Sequence, residues 1–297
     1  MINIDLHIHS NYSLDGQFTP TELIEMSLKN ELEYVALADH NTVAGIDEAI
    51  TATKNTNLKV ITGIEIDCQL NGRNLQILGY YFDHKKPIFQ EIEADILKQE
   101  QQATELKLAL LKQLDVYVDE AAIMKKAIHG IITGEMVAEV LLDSPENDGN
   151  EILEPYRPNG SRGNNPQVNF YWDYCSSGKP LYVPIKYLSL KDAINIVKDN
   201  GGVTVLAHPS IMVFEDEDFL DQVMAEGLDG IEVYSSYHSA KQQEFYKSYA
   251  LKHGYLMTYG TDFHGATKPT ISLGCVVSDV CKKRMIQSLE NLAKTRQ

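Results

Sequence analysis

Short apolar runs along the chain end, one after another, on residues that carry chemistry. The run from Met1 closes in Asp5-Leu6-His7-Ile8-His9-Ser10, Tyr34-Val35-Ala36-Leu37-Ala38 ends in Asp39-His40, and Lys59-Val60-Ile61-Thr62-Gly63-Ile64 ends in Glu65. Later, Gly202-Val203-Thr204-Val205-Leu206-Ala207 ends in His208-Pro209, Asp229-Gly230-Ile231 leads to Glu232, and the run 255–261 ends in Asp262-Phe263-His264. Runs of this length and composition read as β-strands. Side chains two apart on a strand share a side, so His7 and His9 converge on one point if the first strand persists that far. Between the strands the spacing turns helical. Thr19-Pro20-Thr21-Glu22 opens a helix with a capping box, Leu23, Ile24, Met26 and Leu28 give it an apolar side, and a second helix covers 43–54. This β-α-β-α alternation predicts a parallel sheet. Every candidate ligand falls at the carboxyl end of its strand, where a parallel α/β barrel builds its active site. Any one of them alone reads as an ordinary structural residue, and the agreement of the strand ends is what makes a site.

The pattern changes after Glu65. The stretches 65–70 and 74–80 flank Asn71-Gly72, a hairpin signal, with Gln76 on the second arm. Residues 87–114 carry Ile88, Ile92, Ile96, Leu97, Leu106, Leu110 and Leu114 at amphipathic-helix spacing, and 119–127 and 133–142 read as shorter helices. The run 143–169 is rich in Asn, Gly, Pro and charge, contains Arg157 and Arg162, and is long for a loop, so it is either functional or disordered. The aromatic cluster at 170–174 suits packing of the insertion onto the barrel better than stacking on a base. From Leu188 the α/β rhythm returns, with helices from Ser189 to Asn200, then 219–225, 239–253 and 282–293. The predicted organisation is a barrel in two parts, 1–84 and 181–297, interrupted by a helical insertion with a long loop at 85–180.

Composition narrows the partners. The 297 residues are 43% hydrophobic and 23% charged, as in an ordinary globular protein. A formal net charge of −16 disfavours long nucleic acid, which is held by a lysine and arginine surface. It leaves room for a small phosphorylated substrate, because bound divalent cations reverse the local field. Cys68, Cys175, Cys275 and Cys281 are scattered, with neither zinc-knuckle nor disulfide spacing, and the N-terminus lacks signal-peptide character. No apolar run approaches the roughly 20 residues a membrane span needs. The expectation is a cytoplasmic protein with no membrane and no obligate protein partner. Histidines and carboxylates without an arranged Ser or Cys nucleophile point to metal-activated water, and mixed imidazole and carboxylate donors suit manganese, iron or zinc better than calcium.

Asp5-Leu6-His7-Ile8-His9-Ser10, Ala38-Asp39-His40-Asn41-Thr42, Gly63-Ile64-Glu65, Ala207-His208-Pro209 and Gly260-Thr261-Asp262-Phe263-His264 resemble the ordered motifs of the PHP (polymerase and histidinol phosphatase) superfamily, and within it the stand-alone bacterial phosphoesterases. The resemblance implies an α/β fold, a distorted (β/α)7 barrel with a mainly helical insertion, and two or three divalent ions, with magnesium admitted beside manganese, iron and zinc. It implies that His7, His9, Glu65 and Asp262 hold one ion, that Asp15, His40 and His264 hold a second, and that Glu65 and His208 share a third. Asp5 and Asp39 would orient the imidazoles from behind. Glu232 and His238 would lie at the mouth in a structural or substrate-side role. Two positions depart from the family pattern. Gln76 stands where a histidine ligand is usual, a weaker donor through its amide oxygen. The arginine that opens an insert helix in relatives is absent from Ile131-Ile132-Thr133-Gly134-Glu135, which leaves Arg157 or Arg162 to supply a phosphate contact. The predicted function is hydrolysis of a small phosphoric ester, with a nucleotide, nucleoside bisphosphate or short oligonucleotide as candidates. The alternatives are an amide or lactone hydrolase on the same barrel and a catalytically silent metal- or nucleotide-binding regulatory protein.

Overall fold

The computed structural model describes residues 2–296. Contacts divide the chain into two compact units, one running to Glu93 and resuming at Tyr187, the other Ala94–Lys186. The first strands and helices alternate: β1 (Ile2–Ile8), α1 (Pro20–Lys29), β2 (Leu32–Leu37), α2 (Ile46–Ala52) and β3 (Lys59–Leu70). Then come β4 (Arg73–Tyr80), α3 (Pro87–Leu111), α4 (Glu120–Lys126), α5 (Gly134–Asp143) and α6 (Pro166–Phe170). The rhythm resumes with β5 (Leu188–Ser189), α7 (Leu190–Asp199), β6 (Val203–Leu206), α8 (Glu217–Ala225), β7 (Gly230–Tyr234), α9 (Ala240–His253) and β8 (Leu256–Tyr259). The chain ends with β9 (Cys275–Val277) and α10 (Asp279–Lys294).

The sheet runs β8-β7-β6-β4-β3-β2-β1, with β9 antiparallel on β1 and β5 attached to β3. The ring is drawn together where Ile8 bridges Phe263, with the His9 amide donating to the Phe263 carbonyl at 2.9 Å and the Asp262 amide to the His7 carbonyl at 2.8 Å. Those seven strands form the distorted barrel. The distortion lies in β4, which runs antiparallel to both β3 and β6. Its cause is local: Asn71 and Gly72 both take positive φ, 51° and 77°, the geometry a tight two-residue hairpin demands. A crossover helix between β3 and β4 is therefore replaced by a turn.

Helix faces and strand faces meet in a continuous apolar filling. α7 buries Leu190, Ala193, Ile194 and Val197, one stripe at helical spacing, among Ile64, Ile66, Ile77 and Val223. Inside, Ile4, Leu6, Ala36, Leu78, Val205 and Tyr259 pack with Leu289 of α10. α1 starts where its sequence says it should, with Thr19 accepting from the Glu22 amide and Glu22 reaching back to the Thr19 amide.

The second unit has its own core of Leu111, Ile123, Val137, Leu141, Leu153, Tyr156 and Phe170. The stretch read as a long loop holds short helical turns at Pro145–Asn147 and Glu154–Tyr156 and then α6. Asn147, 1% exposed, explains why polar sequence is ordered there: its amide accepts from the Tyr117 N–H and donates to the Tyr117 and Leu141 carbonyls. The aromatic cluster packs within this unit, Phe170 stacked on Tyr174 at 4.7 Å and met edge-on by Tyr156. Among the described residues no helix is long and apolar enough to cross a membrane.

Candidate metal centre

Strand β1 delivers His7 and, one residue past its end, His9, both fully buried with ring centroids 5.0 Å apart. His7 Nε2 lies 3.2 Å from Glu65 Oε2 and 3.4 Å from Asp262 Oδ1; His9 Nε2 lies 3.3 Å and 2.9 Å from the same two oxygens. His40, just past β2, bridges to Glu65, which lies in the middle of β3 and not at a strand end as expected, because the strand runs on into the hairpin; it brings Nδ1 to 3.2 Å from Glu65 Oε2. Asp15 Oδ2 lies 3.2 Å from His264 Nε2 and 3.9 Å from His40 Nε2. His208, at the end of β6, sets Nε2 3.0 Å from Glu65 Oε1. Glu65 thus touches four imidazoles. Two groups of donor atoms are close enough to share an ion: His7, His9, Glu65 and Asp262, and His9, His40 and His264.

The tautomers can be read from the surrounding acceptors. The His7 Nδ1–H donates to Glu232 Oε1 at 3.0 Å, His9 Nδ1–H to Ser13 Oγ at 3.2 Å, and His264 Nδ1–H to the Asp262 carbonyl at 2.9 Å. Each imidazole therefore turns a bare Nε2 lone pair inward. There it faces carboxylate oxygens that are acceptors too, and His7 Nε2, His9 Nε2, His264 Nε2, Glu65 Oε2 and Asp262 Oδ1 are buried without a hydrogen-bond partner. Acceptors crowded against acceptors repel unless a cation stands among them, so these residues fit divalent ions.

The electrostatics agree. Burial, helped by His264 and His40, pushes His9 down to about 4, so it is a neutral donor at ordinary pH. Burial also opposes a charge on His7, but Glu65, Glu232 and Asp262 together raise it well above the usual imidazole value, so without an ion a proton on His7 Nε2 takes the place that a cation would fill. Burial would raise Glu65 and Asp262, yet the neighbouring imidazoles, with Lys268 for Asp262, hold both well below the carboxylate range. For Asp15 the His40 and His264 rings likewise outweigh burial.

Behind the donors lies a second set of contacts. Asp5, pushed up to about 6 by burial despite its donors, accepts from the Thr261 amide and hydroxyl, the Gly274 amide and the His7 amide, so it fixes the loop before Asp262 and no imidazole ring. Asp39 accepts from Ser10 and from Ser13 Oγ, and through Ser13 it steadies His9 and the His40 amide. Glu232, expected near the mouth, is instead fully buried beneath His7 and accepts from the His208 amide at 2.9 Å. Gly260 lets this happen, since a Cβ there would overlap His7 and the Glu232 carboxylate.

The remaining predicted residues sit elsewhere. Gln76 donates to Asp67 Oδ1 at 3.0 Å and its amide nitrogen lies 3.4 Å from His40 Nδ1. His238 is held by backbone, donating from Nδ1 to the Val233 carbonyl and accepting from the Ser210 amide. Arg157 donates to the Leu142 and Asn147 carbonyls and Arg162 forks onto Asp173, all within the second unit. Sequence reasoning passed over Tyr237 and Lys268, which both donate to Asp262 Oδ2 at 2.6 Å.

A distorted barrel whose strand ends converge histidines and carboxylates in this order defines a PHP-type metal-dependent hydrolase fold. A PHP domain family model matches residues 5–144 of the chain. It is 29% identical over 267 residues to a 3′,5′-nucleoside bisphosphate phosphatase of Chromobacterium violaceum, covering 89% of this chain and 88% of that one. It is 28% identical over 271 residues to a 5′-3′ exoribonuclease of Haemophilus influenzae, covering 88% and 89%. Among solved structures it is similar to a Chromobacterium violaceum protein described as an amidohydrolase, with bound sulfate and no metal, at TM-score 0.78 and 25% identity over 98% of this chain and 96% of that one. A candidate metal-dependent phosphoesterase of Bifidobacterium adolescentis matches at TM-score 0.74 and 26% identity over 96% and 95%.

Proposed function

We propose that the protein is a metal-dependent phosphoesterase that hydrolyses a small phosphorylated substrate, a nucleotide or short oligonucleotide among the candidates. The observation that carries this reading is the set of buried, unpartnered Nε2 and carboxylate atoms that face one another at the strand ends. His7, His9, Glu65 and Asp262 would hold one ion, Asp15, His40 and His264 a second, and Glu65 with His208 a third. Gln76 offers that third site no imidazole, which makes it the most loosely held. Manganese, iron or zinc suit these donors, with magnesium tolerated. Bound divalent ions supply an activated water and neutralise charge on the phosphoryl group. The residues themselves fix where this happens: Glu232, Ser13 and the Asp262 carbonyl each hold the Nδ1 side of one imidazole and so aim its Nε2 at the ions.

Metal analysis of the purified protein, followed by phosphate release from mono- and bisphosphates, tests site and reaction together. Asp262→Asn should remove one ion and lower hydrolysis by about two orders of magnitude or more with the fold intact. Unchanged metal content and rate would end this reading. The likeness to a protein described as an amidohydrolase favours one rival, so amides and lactones belong in the same panel.

A further inference from the structure

Asp262 has two faces. Oδ1 looks into the imidazoles, 2.9 Å from His9 Nε2, while Oδ2 accepts from the Tyr237 hydroxyl and the Lys268 ammonium, each at 2.6 Å. The lysine thus stands one carboxylate's width from the donor cluster. Its side chain is 29% exposed whereas Asp262 is 3% exposed, so the ammonium reaches down from solvent onto a buried ligand. An ammonium has three donors, and Asp262 engages one, leaving N–H groups for a visitor at the mouth.

This placement is built. Asp262 takes a left-handed φ of 60°, unfavourable for aspartate, and the segment after it is stapled to the loop that carries Asp15. The Ala266 amide donates to Gln17 Oε1 at 2.7 Å, Thr267 Oγ1 to the Asp15 carbonyl at 2.6 Å, and the Gln17 amide to the His264 carbonyl at 3.1 Å. Tyr237 stands edge-on to the His208 ring at 5.7 Å, with the Lys268 ammonium 5.6 Å from its own ring centre. In a chain of net charge −16, an anion needs local positive charge to approach, and this partly exposed lysine supplies it beside Asp262.

Resting on the phosphoesterase reading above, we infer that Lys268 is the phosphate-binding cation of the site, contacting a non-bridging phosphoryl oxygen, and that Tyr237 is the positioning residue that holds Asp262. An ammonium attracts a dianion more than a monoanion, so the arrangement favours terminal phosphomonoesters over phosphodiesters. The insertion is not required for this contact.

Lys268→Gln should weaken binding of inorganic phosphate to the metal-loaded protein, read by calorimetry, by about 10- to 100-fold, the worth of a charge-assisted hydrogen bond. KM for p-nitrophenyl phosphate should rise in parallel, KM for bis(p-nitrophenyl) phosphate by less than about 3-fold, and kcat change little, the pattern of a lost binding contact. Lys268→Arg should recover most of the phosphate affinity. Tyr237→Phe should keep phosphate binding within about 3-fold but loosen metal retention. Unchanged phosphate affinity in Lys268→Gln, or an equal rise in KM for monoester and diester, overturns the inference. So does loss of metal and phosphate together in Lys268→Gln with both restored by arginine, since the lysine would then serve only Asp262. A protein that hydrolyses no ester yet shows lysine-dependent phosphate binding overturns the phosphoesterase reading and upholds the contact.

Discussion

At the scale of single residues, the centre is decided by what each imidazole donates to. Glu232 is the sharpest case: it is fully buried and holds both the His7 ring and the His208 amide, so its charge reaches two donors at once. Glu232→Gln keeps an acceptor for His7 but removes the charge. It should lower metal affinity by about 10- to 100-fold without unfolding the protein, measured by equilibrium dialysis. Equal affinity in the two proteins would reduce Glu232 to packing. In the sequence, His7 and His9 announce themselves because a strand alternates with period two and because two imidazoles at its end are conspicuous. Glu232 stands out only as one more carboxylate after an apolar run, and its buried place against His7 does not show, since Asp229-Gly230-Ile231-Glu232-Val233 reads equally as a strand with one polar position. Ser13, Tyr237 and Lys268 are invisible for a different reason: each acts by contact across the fold, and no local spacing encodes those distances.

Among elements, the hairpin and the insertion behave differently. Asn71-Gly72 carries its own geometry in its residue types, so the β3–β4 turn is legible from the dipeptide and its flanking strands alone. The 143–169 stretch is mostly loop as read, and its order is not legible because it comes from side chains substituting for backbone partners, with Asn147 the chief of these. Asn147→Ala would strand two carbonyls and an N–H in a buried position. It should destabilise the insertion by about 2–3 kcal/mol. Hydrogen exchange would show this as faster amides around 115–118 and 141–157, with the amides of β1 and β6 unchanged. Uniform acceleration across the chain would contradict the separate core of Leu111, Val137, Leu153 and Phe170.

For the molecule as a whole, acid stability should depend in part on a partly buried carboxylate outside the metal donor set. Asp229 accepts both arms of Arg296 at 2.7 and 2.8 Å, the Lys198 ammonium at 2.9 Å, and the Thr204 amide at 2.8 Å, which ties α7, β6 and the turn into β7 to the end of α10. Burial would raise its pKa, but those donors outweigh burial and hold it below the ordinary 3.8. A depressed folded value means the stabilisation is full above the unfolded pKa and drains away as pH falls through the folded one. Asp229→Asn should therefore cost about 2 kcal/mol near neutrality and lack part of the fall in Tm below pH 3.8, read from melting curves across that range. A parallel pH profile in the two proteins would contradict it. The seam between β1 and the segment past β8 bears on synthesis as well as on stability. His7 meets Asp262 and Ile8 meets Phe263 across nearly the whole length of the chain. A ribosome has therefore released the first half of the metal ligands long before the last emerge, and long-range pairing of this kind is slow to form. The nascent chain carries bare histidines and an open strand edge until Asp262 and His264 have emerged, and only then is its donor set whole.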